Sequence, residues 1–283
     1  MKQRNDPSVE EYYNRNQILY DLFYSMGTGG IHYGFWDENT RHISQAIRST
    51  NRFVARYLDV TSDDCVLDAG CGIGATSLYL ARNFGCRVVG ITLSQRQIRI
   101  AVKRAMRLAI QDRVKFYRQD FTATDFEDGS FTKVLGLESV CYAEKKIDFL
   151  REAYRLLKDN GVLVIADGFL VRTDFTDKEK QIYNAWLNGW ALSNISTRDG
   201  FQNDLIQAGF RNIRYFDKLQ EIRKTRNIIH RTGILGYPFI WFLYKLRIIK
   251  RIMYDHTIAC ILQKRIFADT GNLGTYGVFV AEK

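Results

Sequence analysis

Residues 66–74 read Val-Leu-Asp-Ala-Gly-Cys-Gly-Ile-Gly: an apolar run ends near Asp68, then three glycines alternate at positions 70, 72 and 74. Such a run suits a buried parallel strand. Glycines let the backbone turn sharply and come close to a bulky ligand, because no Cβ intervenes. A helix predicted from Ala75 places unpaired N–H groups behind them. The chemistry indicated is cofactor binding at the first strand-to-helix turn of a doubly wound sheet. Two cofactors compete. Gly70, Gly72 and Ala75 satisfy the dinucleotide spacing G-x-G-x-x-G/A. That reading wants a carboxylate about 20 residues downstream, at the end of the second strand. Here the strand 87–91 runs into Thr92-Leu93-Ser94 without an acid. Asp68, two residues before Gly70, suits a cationic amino group and would repel a pyrophosphate. Asp120 follows the third predicted strand, where a carboxylate can accept from an adenine amino group.

With these residues in place, the chain resembles the class I S-adenosylmethionine (SAM)-dependent methyltransferases. Asp68–Gly74, with Cys71 as a small residue that fits the loop, looks like the motif that contacts the methionine end and ribose side of the cofactor. Gln119-Asp120-Phe121 looks like the adenine-binding motif. Gly90–Ser94 with Gln97 is similar to the branch containing the tocopherol, sterol, cyclopropane-lipid and isoprenoid C-methyltransferases, where a run such as Thr92-Leu93-Ser94 often replaces the ribose acid. The resemblance spans roughly residues 10–217 and, more loosely, the last ten.

Methyl transfer to a carbon nucleophile needs alignment, exclusion of water, aromatic faces for a developing cation and a base for one proton. Two clusters offer these. Leu137–Tyr142 contains Glu138 and Tyr142 and resembles the Glu-containing active-site motif of that branch. The resemblance implies a base or electrostatic stabiliser at Glu138, also close to the cofactor; a structural Glu138 would instead hold a local backbone N–H or pair with a lid arginine. The second cluster is Tyr20, Tyr24, His32, Tyr33 and Trp36, similar to the aromatic N-terminal region that closes over SAM. Tyr20 or Tyr24 is expected at the cofactor carboxylate, His32 as a proton acceptor, and Tyr33 and Trp36 in the substrate pocket with Trp186 and Trp190. A packed cap helix would use the same aromatics as core residues. No metal site is expected.

The elements that position these residues alternate. Strands are predicted at 64–69, 86–92, 113–118, 131–138 and 161–167, and helices at 75–84, 94–110 and 145–158, the last ending in a turn at Asp159-Asn160-Gly161. Right-handed crossovers put Asp68, Thr92, Asp120 and Glu138 on one rim. Helices at 8–26 and 40–57 precede this core. Helices at 177–194 and 197–208 and strands at 210–216 and 275–281 follow it. The expected fold is one α/β, Rossmann-like, doubly wound domain of about seven mostly parallel strands with the last antiparallel. It divides into a cap (1–60), a SAM-binding core (61–217), a lid (218–270) and a final strand (271–283).

Composition bounds the partners. The five cysteines, at 65, 71, 86, 141 and 260, show no metal or disulfide spacing, and no signal peptide is visible, so a cytoplasmic setting is expected. The formal net charge of +10 concentrates between Lys218 and Arg265 among aromatic and aliphatic residues, and no nucleic-acid module accompanies it. The stretch Gly233–Tyr244 is too short to span a bilayer, which takes about 20 apolar residues. It reads as a substrate-tunnel wall, an interfacial membrane patch or a helix packed on the core, and lid cations are candidates for neutralising a diphosphate or lipid phosphate. The expected activity is methyl transfer from SAM to a small lipophilic acceptor, foremost carbon methylation of an isoprenoid or related lipid. N- or O-methylation of a metabolite, a non-catalytic SAM-binding protein and a NAD-dependent oxidoreductase are the rivals, and homo-oligomers are allowed for.

Overall fold

Strand-forming residues alternate between two cores. Val66, Val88, Leu135, Val164, Val278 and Val280 face one, and Leu67, Ile91, Val134, Leu163, Phe279 and Ala281 face the other. A sheet buried on both faces results. The computed structural model describes residues 8–19, 30–269 and 273–283. The sheet has seven strands: β1 (Cys65–Ala69), β2 (Arg87–Thr92), β3 (Val114–Arg118), β4 (Phe131–Leu137), β5 (Leu157–Leu170), β6 (Arg211–Asp217) and β7 (Gly274–Glu282). Their order is β3-β2-β1-β4-β5-β7-β6, with β7 antiparallel to both neighbours and the other pairs parallel. The predicted fold class is therefore the observed one.

The helices are α1 (Val9–Leu19), α2 (Ile43–Leu58), α3 (Ala75–Phe84), α4 (Gln95–Arg107), α5 (Lys146–Leu156), α6 (Asp177–Trp190), α7 (Arg198–Gln207), α8 (Arg223–Lys245) and α9 (Arg251–Ile266). α2 turns one stripe inward, Ala46, Ile47, Thr50, Val54 and Leu58, at the spacing of a single helix face. It shares its core with α3 and α4, whereas Phe149 and Leu150 of α5 and Phe201 and Leu205 of α7 join the opposite one. Between β6 and β7, α8 and α9 form a helical pair. α9 packs against α6, α8 and α1, above the rim where the parallel strands end.

Two boundaries differ from expectation. The turn at 159–161 is absorbed into β5, which begins at Leu157, and the residues between Leu157 and Val162 bulge against Phe131–Lys133. Asn160 takes the left-handed φ of 61° that the bulge requires. The helix expected over 177–194 ends at Trp190, where Ala191 closes it in the left-handed region.

Candidate active site

A cavity of about 680 Å³ opens where β1, β2, β3, β4 and β5 end, and α1, α6 and the α8–α9 pair contribute to its walls. That size lies within the range of about 300–1,000 Å³ common for small-molecule pockets. One end is polar. Asp68 is buried there, and its Oδ2 accepts from Ser77 Oγ at 2.5 Å, on the first turn of α3. Burial pushes its carboxyl up to about 6, and Ser77 opposes the shift.

The three glycines have different tasks. Gly70 (φ 89°) lies so close to Ser139 that a Cβ would stand 2.3 Å from the serine Cβ. Gly74 (φ 78°) caps α3 and is closed over by Phe116 and Ala101. It does not line the cavity, which corrects its expected place against the cofactor. Gly72 (φ 53°) faces open space, with only Gln97 Nε2 within reach of a Cβ, at 3.9 Å. Close approach of a ligand therefore belongs to Gly72, while its neighbours allow the chain to pack. Cys71 beside it is no nucleophile, since burial holds its thiol well above the ordinary range.

At the end of β2, Thr92 Oγ1 donates to Gln97 Oε1 at 2.7 Å, and Ser94 caps α4 by accepting from the Gln97 N–H. Leu93 completes this wall. Thr92 and Gln97 thus form a neutral pair where a dinucleotide site would hold a carboxylate. Asp120 Oδ1 is taken by the N–H and hydroxyl of Thr122, at 2.8 and 2.7 Å, and Phe121 stands edge-on to Phe149. α1 is tied across this end: Ser94 Oγ donates to Asn14 Oδ1, and Arg118 pairs with Glu10 at 2.9 Å.

The other end is aromatic. Glu138 follows β4 with φ 52°, a left-handed conformation uncommon outside glycine, and its N–H donates to Ala166 O. Its Oε1 accepts from the Tyr33 N–H at 2.6 Å and from Tyr276 OH at 2.8 Å. Burial pushes the carboxyl up to about 8, against the effect of those two bonds, with Asp167 adding to the rise. Asp167, three residues before the end of β5, is itself raised to about 6 by burial, and accepts from the N–H groups of Cys141 and Gly168. Tyr13 OH donates to Tyr142 OH at 3.1 Å, placing Tyr142 in the wall near Glu138. Trp186 and Trp190 both donate indole N–H to Gln263 Oε1, and Gln263 Nε2 donates to Tyr33 OH. His32 sits in the same wall, and burial lowers its basicity.

Some expectations are corrected. Trp36 is not in the cavity: its Nε1 donates to Thr225 Oγ1 at 2.8 Å, so the ring pins its segment to the start of α8. Among the described residues of the lid, Ile229, Gln263 and Phe267 line the cavity, whereas Gly233–Tyr244 and the lid lysines and arginines do not. Tyr20 and Tyr24 lie outside the described residues. Asp167, Ser77, Gln263 and Tyr276 were not anticipated. Asp167 alone carried a signal, an acid ending an apolar strand on the same rim as Asp68.

The cavity wall holds seven acids, Glu10, Asp68, Asp120, Glu138, Glu144, Asp148 and Asp167, and two basic side chains, Arg118 and Lys145. That donor set, with a loop open only at Gly72, fits a cofactor carrying a sulfonium and an ammonium and does not fit a pyrophosphate. Among the described residues no cluster of three or more His, Cys, Asp or Glu is placed to hold a metal ion.

Comparison with known proteins agrees. Residues 66–161 match the methyltransferase domain family. The chain carries a methyltransferase domain on the class I SAM-dependent fold. Within that class it is similar to sterol and prenyl-hydroquinone methyltransferases. It is 27% identical over 220 residues to methyltransferase GfsG of Streptomyces halstedii, covering 77% of each chain. It is 37% identical over 149 residues to 2-methyl-6-phytyl-1,4-hydroquinone methyltransferase of Synechocystis, covering 51% of this chain and 45% of that one. A sterol 24-C-methyltransferase of Eremothecium gossypii is 32% identical over 158 residues, 56% of this chain and 41% of the relative. The fold is shared with a geranyl diphosphate methyltransferase structure at TM-score 0.74 and 22% identity, covering 97% of both chains.

Proposed function

We propose that this chain methylates a carbon of an uncharged, lipophilic acceptor, such as a prenylated ring or an isoprenoid alkene, with Glu138 as the base. One observation carries the reading: the Glu138 carboxyl group is set among the aromatic side chains of Tyr33, Tyr142, Trp186 and Trp190 in the cavity wall. SAM, when bound, supplies the electrophilic methyl group. Asp68 and the Gly72 turn hold its charged and ribose portions, Thr92 and Gln97 bound the ribose side, and Asp120 and Phe121 bound the adenine side.

The acceptor becomes cationic as its carbon gains the methyl group. Tyrosine and tryptophan faces and the Glu138 carboxylate stabilise that charge. Both donors to Glu138 reach Oε1, so Oε2 is the oxygen that takes the proton from the methylated acceptor. An isoprenoid diphosphate fits less well, because among the described residues of the cavity wall seven acids stand against two basic side chains, Arg118 and Lys145. Methylation of a hydroxyl is the second reading. It is supported by likeness to erythromycin 3''-O-methyltransferase of Saccharopolyspora erythraea, 29% identical over 211 residues.

The test is transfer of radiolabelled methyl from SAM to a panel of prenyl-hydroquinones, sterols and macrolide alcohols, with the methylated atom located by NMR. Carbon-methylated product that disappears in Glu138→Gln supports the proposal. Label only on oxygen favours the second reading. Absence of transfer across the panel, with S-adenosylhomocysteine still bound, argues for a non-catalytic binding protein.

A further inference from the structure

The Gly233–Tyr244 stretch is the second half of α8, and it faces outward. Leu235 is 81% exposed, Phe239 65% and Ile248 64%, and Ile234, Trp241, Phe242 and Leu246 are exposed with them. Positions 235, 239, 242 and 246 share one helix face, and 234, 238, 241 and 245 flank it. A Cβ added at Gly236 would meet nothing, whereas one at Gly233, on the opposite side, would press on Cys260 and Ile261. The other exposed large apolar side chains, such as Met106, Val171 and Ile206, are scattered far apart in sequence. A cluster of this kind on a water-facing helix marks an interaction surface.

Its charge selects the partner. Between residues 222 and 254 there are eight lysines and arginines and not one aspartate or glutamate. Arg231 lies in line with the apolar face and Lys245 flanks it, and Arg247, Lys250 and Arg251 follow in the turn and at the start of α9. Of these, Arg251 is paired, with Asp255 at 3.2 Å. Lys245 Nζ stands 5.7 Å from the centre of the Trp241 ring, so cation and aromatic share one boundary. Self-association through this face would bring two unneutralised basic patches together, because a two-fold contact meets its own surface. An anionic bilayer satisfies both features at once: apolar rings enter the acyl boundary while lysines and arginines meet the headgroups.

We infer that the outer face of α8 with the α8–α9 turn, from Ile234 to Arg251, is a peripheral docking element for an anionic membrane surface. It lies in the interface plane and does not cross, since no helix among the described residues is long and apolar enough to span. Ile229, five residues before Ile234 on the same helix, lines the cavity, so docking would hold the acceptor end close to the lipid.

The full chain is mixed with vesicles of phosphatidylcholine alone and of phosphatidylcholine with phosphatidylglycerol, then sedimented. Partition onto the phosphatidylglycerol vesicles is expected to exceed that onto neutral ones by about tenfold or more, and to fall as salt rises. The double variant Leu235→Ser/Phe239→Ser should lose about tenfold of that partition with S-adenosylhomocysteine affinity unchanged. In the native chain, brominated lipid should quench tryptophan emission, and Trp241→Phe should remove the effect. Failure to partition onto either vesicle overturns the inference, as does equal partition of native and double variant. A dimer that the double variant dissolves, with no vesicle binding, overturns it in favour of self-association. No readout depends on methyl transfer, so the result stands apart from the fate of the proposed activity.

Discussion

The backbone N–H of Tyr33 donates to Glu138 Oε1 at 2.6 Å, joining residues that are 105 positions apart. Tyr276 OH reaches the same oxygen from the last strand. Cap, core and final strand thus converge on one carboxylate, which a merely local, cap-holding acid would not require. Glu138→Gln keeps an acceptor for both donors and removes the base. It should leave S-adenosylhomocysteine affinity within about twofold and lower kcat by about 10²-fold or more, as for loss of a general base. Unchanged kcat, measured with a responsive acceptor, would return Glu138 to a structural role.

Three buried carboxyls hold their protons above the usual carboxylate range in the ligand-free chain. Asp68 and Asp167 are raised to about 6 and Glu138 to about 8. In the unfolded chain these groups release their protons near pH 4. These carboxyls make stability fall as pH rises. Below about pH 6.5 the buried, neutral His32 and His256 oppose them, because the unfolded chain would protonate both. The net fall belongs to the range from about pH 6.5 to 8.5, where Glu138 titrates. Thermal unfolding should show Tm decreasing from about pH 6.5 to pH 8.5, with that slope flattened in Glu138→Gln. A Tm that climbs across this window in the native chain, and does so in the variant, would contradict the assignment.

Asp68 and Asp120 should differ as cofactor contacts. Asp68 is buried with one hydroxyl partner, whereas Oδ1 of Asp120 is already held by Thr122 in an exposed turn. Loss of a charged hydrogen-bond partner costs about 1.5–3 kcal/mol. Calorimetry should therefore show S-adenosylhomocysteine binding about 10- to 100-fold weaker in Asp68→Ala, and a smaller loss in Asp120→Ala. The reverse order would mean that the adenine end dominates recognition.

The parts of this site legible in the sequence are those written locally. Asp68, the glycine run and Thr92 lie within a few residues of a strand end, so periodicity places them on one rim. Gln263 is different. It accepts from Trp186 and Trp190 and donates to Tyr33, 230 positions away, and nothing near it in sequence announces those partners. Trp36 failed for the same reason: an indole in an aromatic segment reads as pocket, but its direction is set by Thr225 on α8. The exposed face of α8 was equally ambiguous, because an apolar stretch does not say which side of its helix the core will take.

The glycine loop offers a separation of folding from binding. Gly70 and Gly72 both have positive φ, so alanine at either is strained by about 1–2 kcal/mol. At Gly70 the new methyl would also meet Ser139 Cβ at 2.3 Å, and Ser139 is fixed by its hydroxyl donating to Ala69 O at 2.5 Å. Relief must move the β1 end or the Glu138 turn, so Gly70→Ala should unfold at a much lower Tm and lose cofactor affinity with it. At Gly72 the methyl enters the open cavity, where only Gln97 Nε2 stands nearby. Gly72→Ala should keep a cooperative transition within a few degrees of the native chain, while S-adenosylhomocysteine no longer raises its Tm. Equal loss of stability in the two variants would mean that Gly72, like Gly70, serves packing, and the surface that meets the cofactor would have to be sought elsewhere on the rim.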